Sequence, residues 1–356
     1  RCMVFCFFHI FASSIFYTMK RIITITAALL MALSAAAQMM PDSTVQIVSY
    51  WQVGDKYAYT CERSSKEVDA QGDTTSREYS METMEFEVVG MTDETYQLKL
   101  TYKDSEYSNE MNQAIHDIMD EIAGDYSVLF STSRMGTLMS IDNLPELTAA
   151  YEKAIGPLTD LMMKSLSPEE IEGFDVEGLM QQLLTSVANP QSIQTSILDD
   201  IGRLFFFHGA RLQPGETYSM EEPLSFIIPG IEQMTAETKL WAEKDLTDSF
   251  STVCRTYTAA TIGEETMKSA ISGQVNTTYD HIQMADSLRT EIGNAFDDYV
   301  NQTKIKAVWE QYTSEEIHLE TGWPLSFYQD KYVLIEAGDD RQEKIESYYM
   351  EIILHE

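Results

Sequence analysis

The side chains able to do chemistry are few and scattered. Beyond residue 37 the histidines are His116, His208, His281, His318 and His355, and none sits beside a nucleophile and an acid in sequence. Paired acids occur at Asp199-Asp200, Asp297-Asp298 and Asp339-Asp340. Two carboxylates at a defined separation can cleave a glycosidic bond or hold a cation. Among 57 acidic residues, however, such pairs are expected without any chemical role. There is no G-x-S-x-G, H-E-x-x-H, P-loop or G-x-G-x-x-G signature. Asp69 to Asp73 lacks the twelve-residue ligand pattern of a calcium loop and reads as a turn. No catalytic residue, metal ligand or cofactor is assigned, and an enzyme ranks last among the function classes.

Two cysteines, Cys61 and Cys254, follow the leader described below. Neither has a second Cys or a His at metal-site spacing. In an oxidising compartment two readings stand for them, a long-range disulfide or a pair of inert thiols.

The remaining candidate chemistry is apolar binding. Flexible side chains gather at Met162, Met163, Met180 and Leu184, and a Phe205-Phe206-Phe207 run follows. Met162, Met163, Met180, Leu184 and Phe206 are the candidate lining of an apolar or lipid-like ligand site. Methionine-rich faces adapt to varied partners, although in most proteins they fill a core.

The elements that must carry these residues can be read from periodicity. Met84, Phe86 and Val88 alternate with Glu85 and Glu87, and Tyr96, Leu98, Leu100 and Tyr102 alternate with polar neighbours. A period of two with one polar side indicates antiparallel sheet covered on one face. The chain closes on a further strand carrying Tyr348, Met350, Ile352 and Leu354. Between strands, Met111, Ala114, Ile115, Ile118, Met119 and Ile122 fall at helical spacing with Gly124 to end the run, and Met284 to Tyr299 repeats the pattern. From 144 to 208 the chain becomes a helical connector, with helices near 144–165, 168–186 and 190–204. Ser167-Pro168 and Asn189-Pro190 each place a capping residue before a first-turn proline.

The β-rich segments on either side of the connector, 38–143 and 209–356, carry three matches in the same order. Gly54-Asp55-Lys56-Tyr57 pairs with Gly215-Glu216-Thr217-Tyr218, and the run Thr92 to Tyr102 with Thr247 to Tyr257. The turn at Met135-Gly136 pairs with Thr321-Gly322. Internal repetition of this kind implies a duplicated unit. The expected fold class is α+β: a curved antiparallel β-sheet built from two related halves, with packed helices and a helical connector.

Compartment and charge come from the start of the chain. Lys20 and Arg21, the apolar run Ile22 to Leu33 and the small residues Ala35 to Ala37 form a signal peptide over 19–37 that leaves Gln38 as the new N-terminus. Residues 1–18 read as translation from upstream of the true start. This leader holds three of the 24 basic residues and none of the 57 acidic ones, so the exported chain is more acidic than the overall charge of −33. Such a surface repels nucleic acid and anionic lipid. Apolar runs of this length are too short for a stable membrane span once the signal is removed. The expected location is the periplasm or cell surface of a Gram-negative bacterium.

The Ala-Ala-Ala-Gln signal end, the Gly54-Asp55-Lys56-Tyr57 strand opening, its counterpart at Pro214-Gly215-Glu216-Thr217-Tyr218 and the Thr321-Gly322-Trp323-Pro324 turn resemble exported proteins of unknown function common in Bacteroidota. The resemblance implies export and carries over no catalytic residue. It also implies O-glycosylation at the Asp286-Ser287-Leu288 triplet. The leading functional expectation is a non-catalytic binding protein for an apolar or lipid-like small molecule. The alternative is an envelope component that binds another protein through its acidic face or a sheet edge.

Overall fold

In the computed structural model the described residues are 43–124, 127–166, 188–224, 234–243, 251–269, 303–338 and 340–353, with 178, 180, 181, 184 and 185. Residues 1–42, which include the expected signal peptide, lie outside them, as do the Met284 to Tyr299 stretch and the Asp286 triplet.

Alternation resolves into one large antiparallel sheet. Its first five strands in chain order are β2 (Lys56–Val68), β3 (Thr74–Met91), β4 (Thr95–Tyr107), β5 (Ser127–Ser133) and β6 (Leu138–Ile141); the short β1 (Val45–Gln46), outside this sheet, precedes them. After the connector come a second short strand, β7 (Arg211–Leu212), then β8 (Thr217–Leu224), β9 (Met234–Ala242), β10 (Ser251–Ile262), β11 (Ile305–His318), β12 (Pro324–Ala337) and β13 (Asp340–Ile352). The 11 long strands lie in the order β6-β5-β4-β3-β2-β13-β12-β11-β10-β9-β8, while β1 pairs with β7. Among the described residues the sheet is open, with β6 and β8 at its edges. From the β8 edge the chain steps strand by strand to β13, then continues from β2 to β6. The two segments therefore advance in the same direction along one sheet, joined where β13 pairs with β2.

One face is buried. Met84, Phe86 and Val88 on β3, Tyr96, Leu98 and Leu100 on β4, and Val128 and Phe130 on β5 are all buried, as the alternation requires. The face is concave, since contacts skip strands: the Tyr59 hydroxyl on β2 donates to the Pro324 carbonyl of β12 at 3.0 Å, and Phe86 lies 6.1 Å from Trp323.

Three helices position the site, and residues 264–269 are helical as well. Helix α1 (Glu110–Ala123) is capped by Asn109, whose Oδ1 accepts from the Met111 and Asn112 amides, and ends at Gly124 with φ 63°. Helix α2 (Leu144–Ser165) opens beside β5, because Asn143 Oδ1 accepts from the Leu129 amide and its Nδ2 donates to the Ser127 carbonyl, both at 2.9 Å. Helix α3 (Pro190–Gly202) is capped by Asn189, which accepts from the Ser192 amide at 3.0 Å. These match the expected helices at 144–165 and 190–204, with a 3₁₀ turn over Arg203–Phe205 taking the final residues. Of the expected helix at 168–186 five positions are described, and all five are helical. No helix of the described residues is long and apolar enough to cross a membrane.

Leu147, Ile193, Ile197, Ile201, Leu204 and Phe205 bring the helical layer down onto the concave face. They share one core with Trp51, Phe86, Phe130, Trp323, Phe327 and Met350. A second core holds Val45, Ile47, Phe207, Leu212, Cys254 and Ile317. The two are bridged by a knot around β1 and β7. There the His208 Nε2–H donates to the Gly322 carbonyl at 2.6 Å, and Trp51 stacks on Trp323 at 4.6 Å. Gly136 and Gly322, at φ 93° and 73°, close their hairpins against this knot. A Cβ on Gly136 would overlap Ser49 and the His208 ring, and one on Gly322 would strike the Val48 carbonyl.

The disulfide reading of the cysteines is corrected here. Cys61 lies in the first core and Cys254 in the second, both as buried free thiols. The registers place them in one cross-strand row, Cys61, Met350, Phe327, Glu315, Cys254. Four strand spacings separate them, on the order of 19 Å, whereas a disulfide needs Cα atoms within about 7 Å. Burial pushes the Cys61 thiol up to about 12 and raises Cys254 well above the ordinary range. Alkylation in denaturant without reductant should therefore label both residues, and native protein should protect both. Recovery of either in a Cys61-to-Cys254 crosslinked peptide would contradict this separation.

His208 sets an acid limit on the fold. Burial holds its pKa down to about 4, against 6.5 for the ordinary group. Below pH 6.5 the unfolded chain binds a proton that the folded chain refuses, so stability declines as pH falls and levels off near 4, a loss of up to roughly 3 kcal/mol. His208→Gln, which keeps a donor for Gly322, should flatten that limb in urea titrations run across this range.

Candidate functional site

A half-enclosed cavity of about 180 Å³ lies between the helices and the concave face of the first segment. Its floor is Arg63 of β2, Ser80 and Glu82 of β3, Tyr102 and Tyr107 of β4, and Val128 of β5. Tyr151 of α2 and Ser196, Ile197 and Asp200 of α3 form its roof.

Strand geometry explains why these side chains meet. Arg63 continues the inward series Tyr59, Cys61, while Ser80 and Glu82 precede Met84 on the inward face of β3. On β4 simple alternation would point Tyr102 inward and Tyr107 outward. The register shifts between Met81 and Thr83, where β4 carries one extra residue around Asp104, which has φ 51°. This bulge reverses the facing of the strand beyond it, so both tyrosines reach the cavity.

The polar end of the cavity is a linked charge cluster. Arg63 Nη2 lies 3.1 Å from Glu82 Oε1 and 3.7 Å from Asp200 Oδ1. Arg203 Nη2 meets the same Asp200 oxygen at 3.1 Å, and its Nη1 donates to Gln329 Oε1 at 3.0 Å. Both guanidiniums lie by the Tyr348 ring, at 5.1 and 5.2 Å from its centre, a geometry that favours cation–π attraction. Arg63 Nε is buried and has no hydrogen-bond partner.

Electrostatics follow from this enclosure. Burial opposes the Arg63 charge, but Asp200 and Glu82 outweigh it and raise its pKa. Burial also raises Glu82 above its usual range, and Arg63 only partly offsets that penalty. Burial, followed by the Glu82 charge, raises Tyr107. Arg63 retains 41% side-chain exposure, all the same. Protein surrounds it, while the cavity leaves part of its surface open.

The sites expected from sequence fall elsewhere. Met162 and Met163 are half-buried in the last turn of α2, and Met180 and Leu184 are half-buried positions of the connector. None of these lines the cavity, nor does Phe206. The phenylalanine run divides three ways: Phe205 enters the first core, Phe207 the second, and Phe206 stays 44% exposed with its edge against Phe207. Of the paired acids Asp200 joins the cluster, whereas Asp297, Asp298 and Asp339 lie outside the described residues. Among the histidines, His208 sits in the knot, His116 packs on Tyr107 at 5.5 Å, His318 meets Thr321 Oγ1 at 3.1 Å, and His281 and His355 are not described. Among the described residues no group of three or more His, Cys, Asp or Glu side chains could hold a metal ion.

Sequence reading missed Arg63 and Glu82, although a signal was available, since each places a charge where its strand's inward series calls for an apolar residue. Tyr107 had none, because the bulge that turns it inward is not marked by glycine.

No family model matches the sequence, and no curated protein matches it. Solved structures give distant likenesses. A lipovitellin chain, reported for its lipid–protein interactions, shares 10% identity at a TM-score of 0.36, over 85% of this chain and 25% of that one. The chain thus spans about a quarter of the lipovitellin chain. An outer membrane channel from Pseudomonas putida F1 shares 7% identity at 0.16, over 86% and 98%. A loop-deletion form of OmpT, an outer membrane protein of Vibrio cholerae, shares 9% at 0.18, over 84% and 100%. At these scores none carries a functional argument.

The cluster should behave as a coupled unit. Removing one partner strands a charge, whereas removing a pair together does not. Arg63→Gln should cost about 1 to 3 kcal/mol in urea unfolding, below the value for a fully buried pair because the cavity screens it. Arg63→Met with Glu82→Leu should cost less than Arg63→Gln alone.

Proposed function

We propose that this chain is an exported, non-catalytic binding protein of a bacterial envelope that holds a lipid-like ligand between its helical connector and the concave face of its sheet. The observation that carries this reading is the cavity itself: a recess that ends on the partly exposed Arg63 guanidinium and is roofed by two helices of the connector. A volume of about 180 Å³ suits a polar head and not a long chain. The apolar tail would need a surface beyond the cavity, for which Met162, Met163, Met180, Leu184 and Phe206 are the candidates read from the sequence. The −33 overall charge favours a shielded ligand over adsorption to anionic lipid surfaces.

The sheet is read as a duplicated unit. This is supported by the common direction in which β2 to β6 and β8 to β13 advance and by the matched strand openings, where Gly54 and Gly215 both have positive φ. The Gly54 amide donates to Val88 and the Gly215 amide to Ala242, on the neighbouring strand in each case. The hairpins at Gly136 and Gly322 fall at the third matched position.

A second reading, an envelope component that binds protein, is favoured by the open edges at β6 and β8, since an exposed edge can accept a strand from a partner.

Blocking the cavity separates the two. Ile197 is buried on α3 and faces the recess, so Ile197→Trp fills it without touching either edge. Uptake of the neutral fluorescent apolar probe N-phenyl-1-naphthylamine should weaken about tenfold or more in this variant, at a melting temperature close to wild type. Wild-type protein that binds no such probe would end the carrier reading.

A further inference from the structure

The charges in the cavity specify more than an apolar tail. They alternate: Arg63 is flanked by Glu82 at 3.1 Å and Asp200 at 3.7 Å, and Asp200 is in turn held by Arg203 at 3.1 Å. A purely anionic head entering beside Arg63 would face two carboxylates. A purely cationic head would face the Arg63 guanidinium, backed by Arg203 across Asp200, and bring no acceptor to the exposed part of Arg63. Only a head carrying both signs a few ångströms apart meets every group with its complement. We infer that the cavity is a recognition site for a zwitterionic head group, with its anionic part on Arg63 and its ammonium on Glu82.

The geometry assigns a role to each group. The exposed part of the Arg63 guanidinium donates to an oxygen of the ligand's phosphate or carboxylate, a charge-assisted bond. Among the described residues Arg63 is the one ion-pair partner of Glu82, so its carboxylate gains a second cation when the ligand's ammonium arrives. The Tyr107 ring, turned inward by the β4 bulge, gives that ammonium an aromatic face. Asp200 and Arg203 are positioning residues: they hold Arg63 from the α3 side and keep the guanidinium over Tyr348. The site brings four protein charges that sum to zero, so a net-neutral ligand leaves none of them uncompensated.

This inference rests on the cavity being the ligand site, and it leaves two sources for the zwitterion, a phospholipid-like head or a free small solute. Calorimetric titration of the purified protein distinguishes them with four probes: dodecylphosphoethanolamine, free phosphoethanolamine, dodecyl phosphate and dodecylamine. The dodecyl zwitterion should bind at least about tenfold tighter than either singly charged dodecyl probe. Arg63→Gln and Glu82→Gln should each shrink that preference below about threefold, with far-ultraviolet circular dichroism and melting recorded to show that both variants are folded. Free phosphoethanolamine binding as tightly as its dodecyl form would keep the zwitterion and remove the lipid tail. If dodecyl phosphate or dodecylamine matches the zwitterion on the wild-type protein, the inference is overturned while the carrier reading stands. If none of the four binds, both fall, and this comparison needs no variant to be stable.

Discussion

The ladder between β13 and β2 is the constraint on which the rest depends. It runs from Glu343 opposite Val68 to Ile352 opposite Tyr59 and makes one sheet of strands that the chain forms almost 300 residues apart. Its register sets Met350 beside Cys61 and Tyr348 beside Arg63. Because side chains alternate between faces, a slip of one residue would turn Arg63 or Tyr348 to the outside and open the core at Met350. Antiparallel pairing at this seam costs a long loop closure, and the large apolar side chains that converge there offset it. Trp51, Phe86, Phe327, Tyr348 and Met350 come from both segments yet belong to one core.

From that seam the site follows with few further choices. The guanidinium of Arg63 is committed to the concave face and must be compensated there. Glu82 supplies one partner from the next strand and Asp200 another from the roof, and the β4 bulge adds Tyr107. The price is a polar cluster in a face otherwise built from Tyr, Leu, Val and Phe, which explains why the cavity persists at that point: charged heads cannot interdigitate as aliphatic side chains do.

Sequence periodicity disclosed the strands β3 and β4, the helix caps at Asn189 and Gly124 and the 144–165 helix, because each depends on a local rule. Tertiary decisions were less visible. Glu315, beside Glu316 in a polar-looking run, is fully buried in the Cys61 to Cys254 row with both carboxylate oxygens unpartnered, and burial raises its pKa well above the usual range. Nothing local marks it as interior. The Phe205-Phe206-Phe207 run shows the converse: three like residues enter one core, solvent and another core, because a 3₁₀ turn sends consecutive side chains in different directions. The charges at Arg63 and Glu82 were legible as breaks in alternation, whereas the bulge at Asp104 and the knot of His208 against Gly322 needed coordinates.

The central claim is that the recess under the connector holds a ligand in the cell. Native mass spectrometry of the chain purified gently from the cells that naturally make it tests it most directly. The account requires a bound small molecule that survives transfer to the gas phase, is released on denaturation and is depleted from the Ile197→Trp protein prepared in parallel. A single mass equal to the bare polypeptide in both preparations would contradict it.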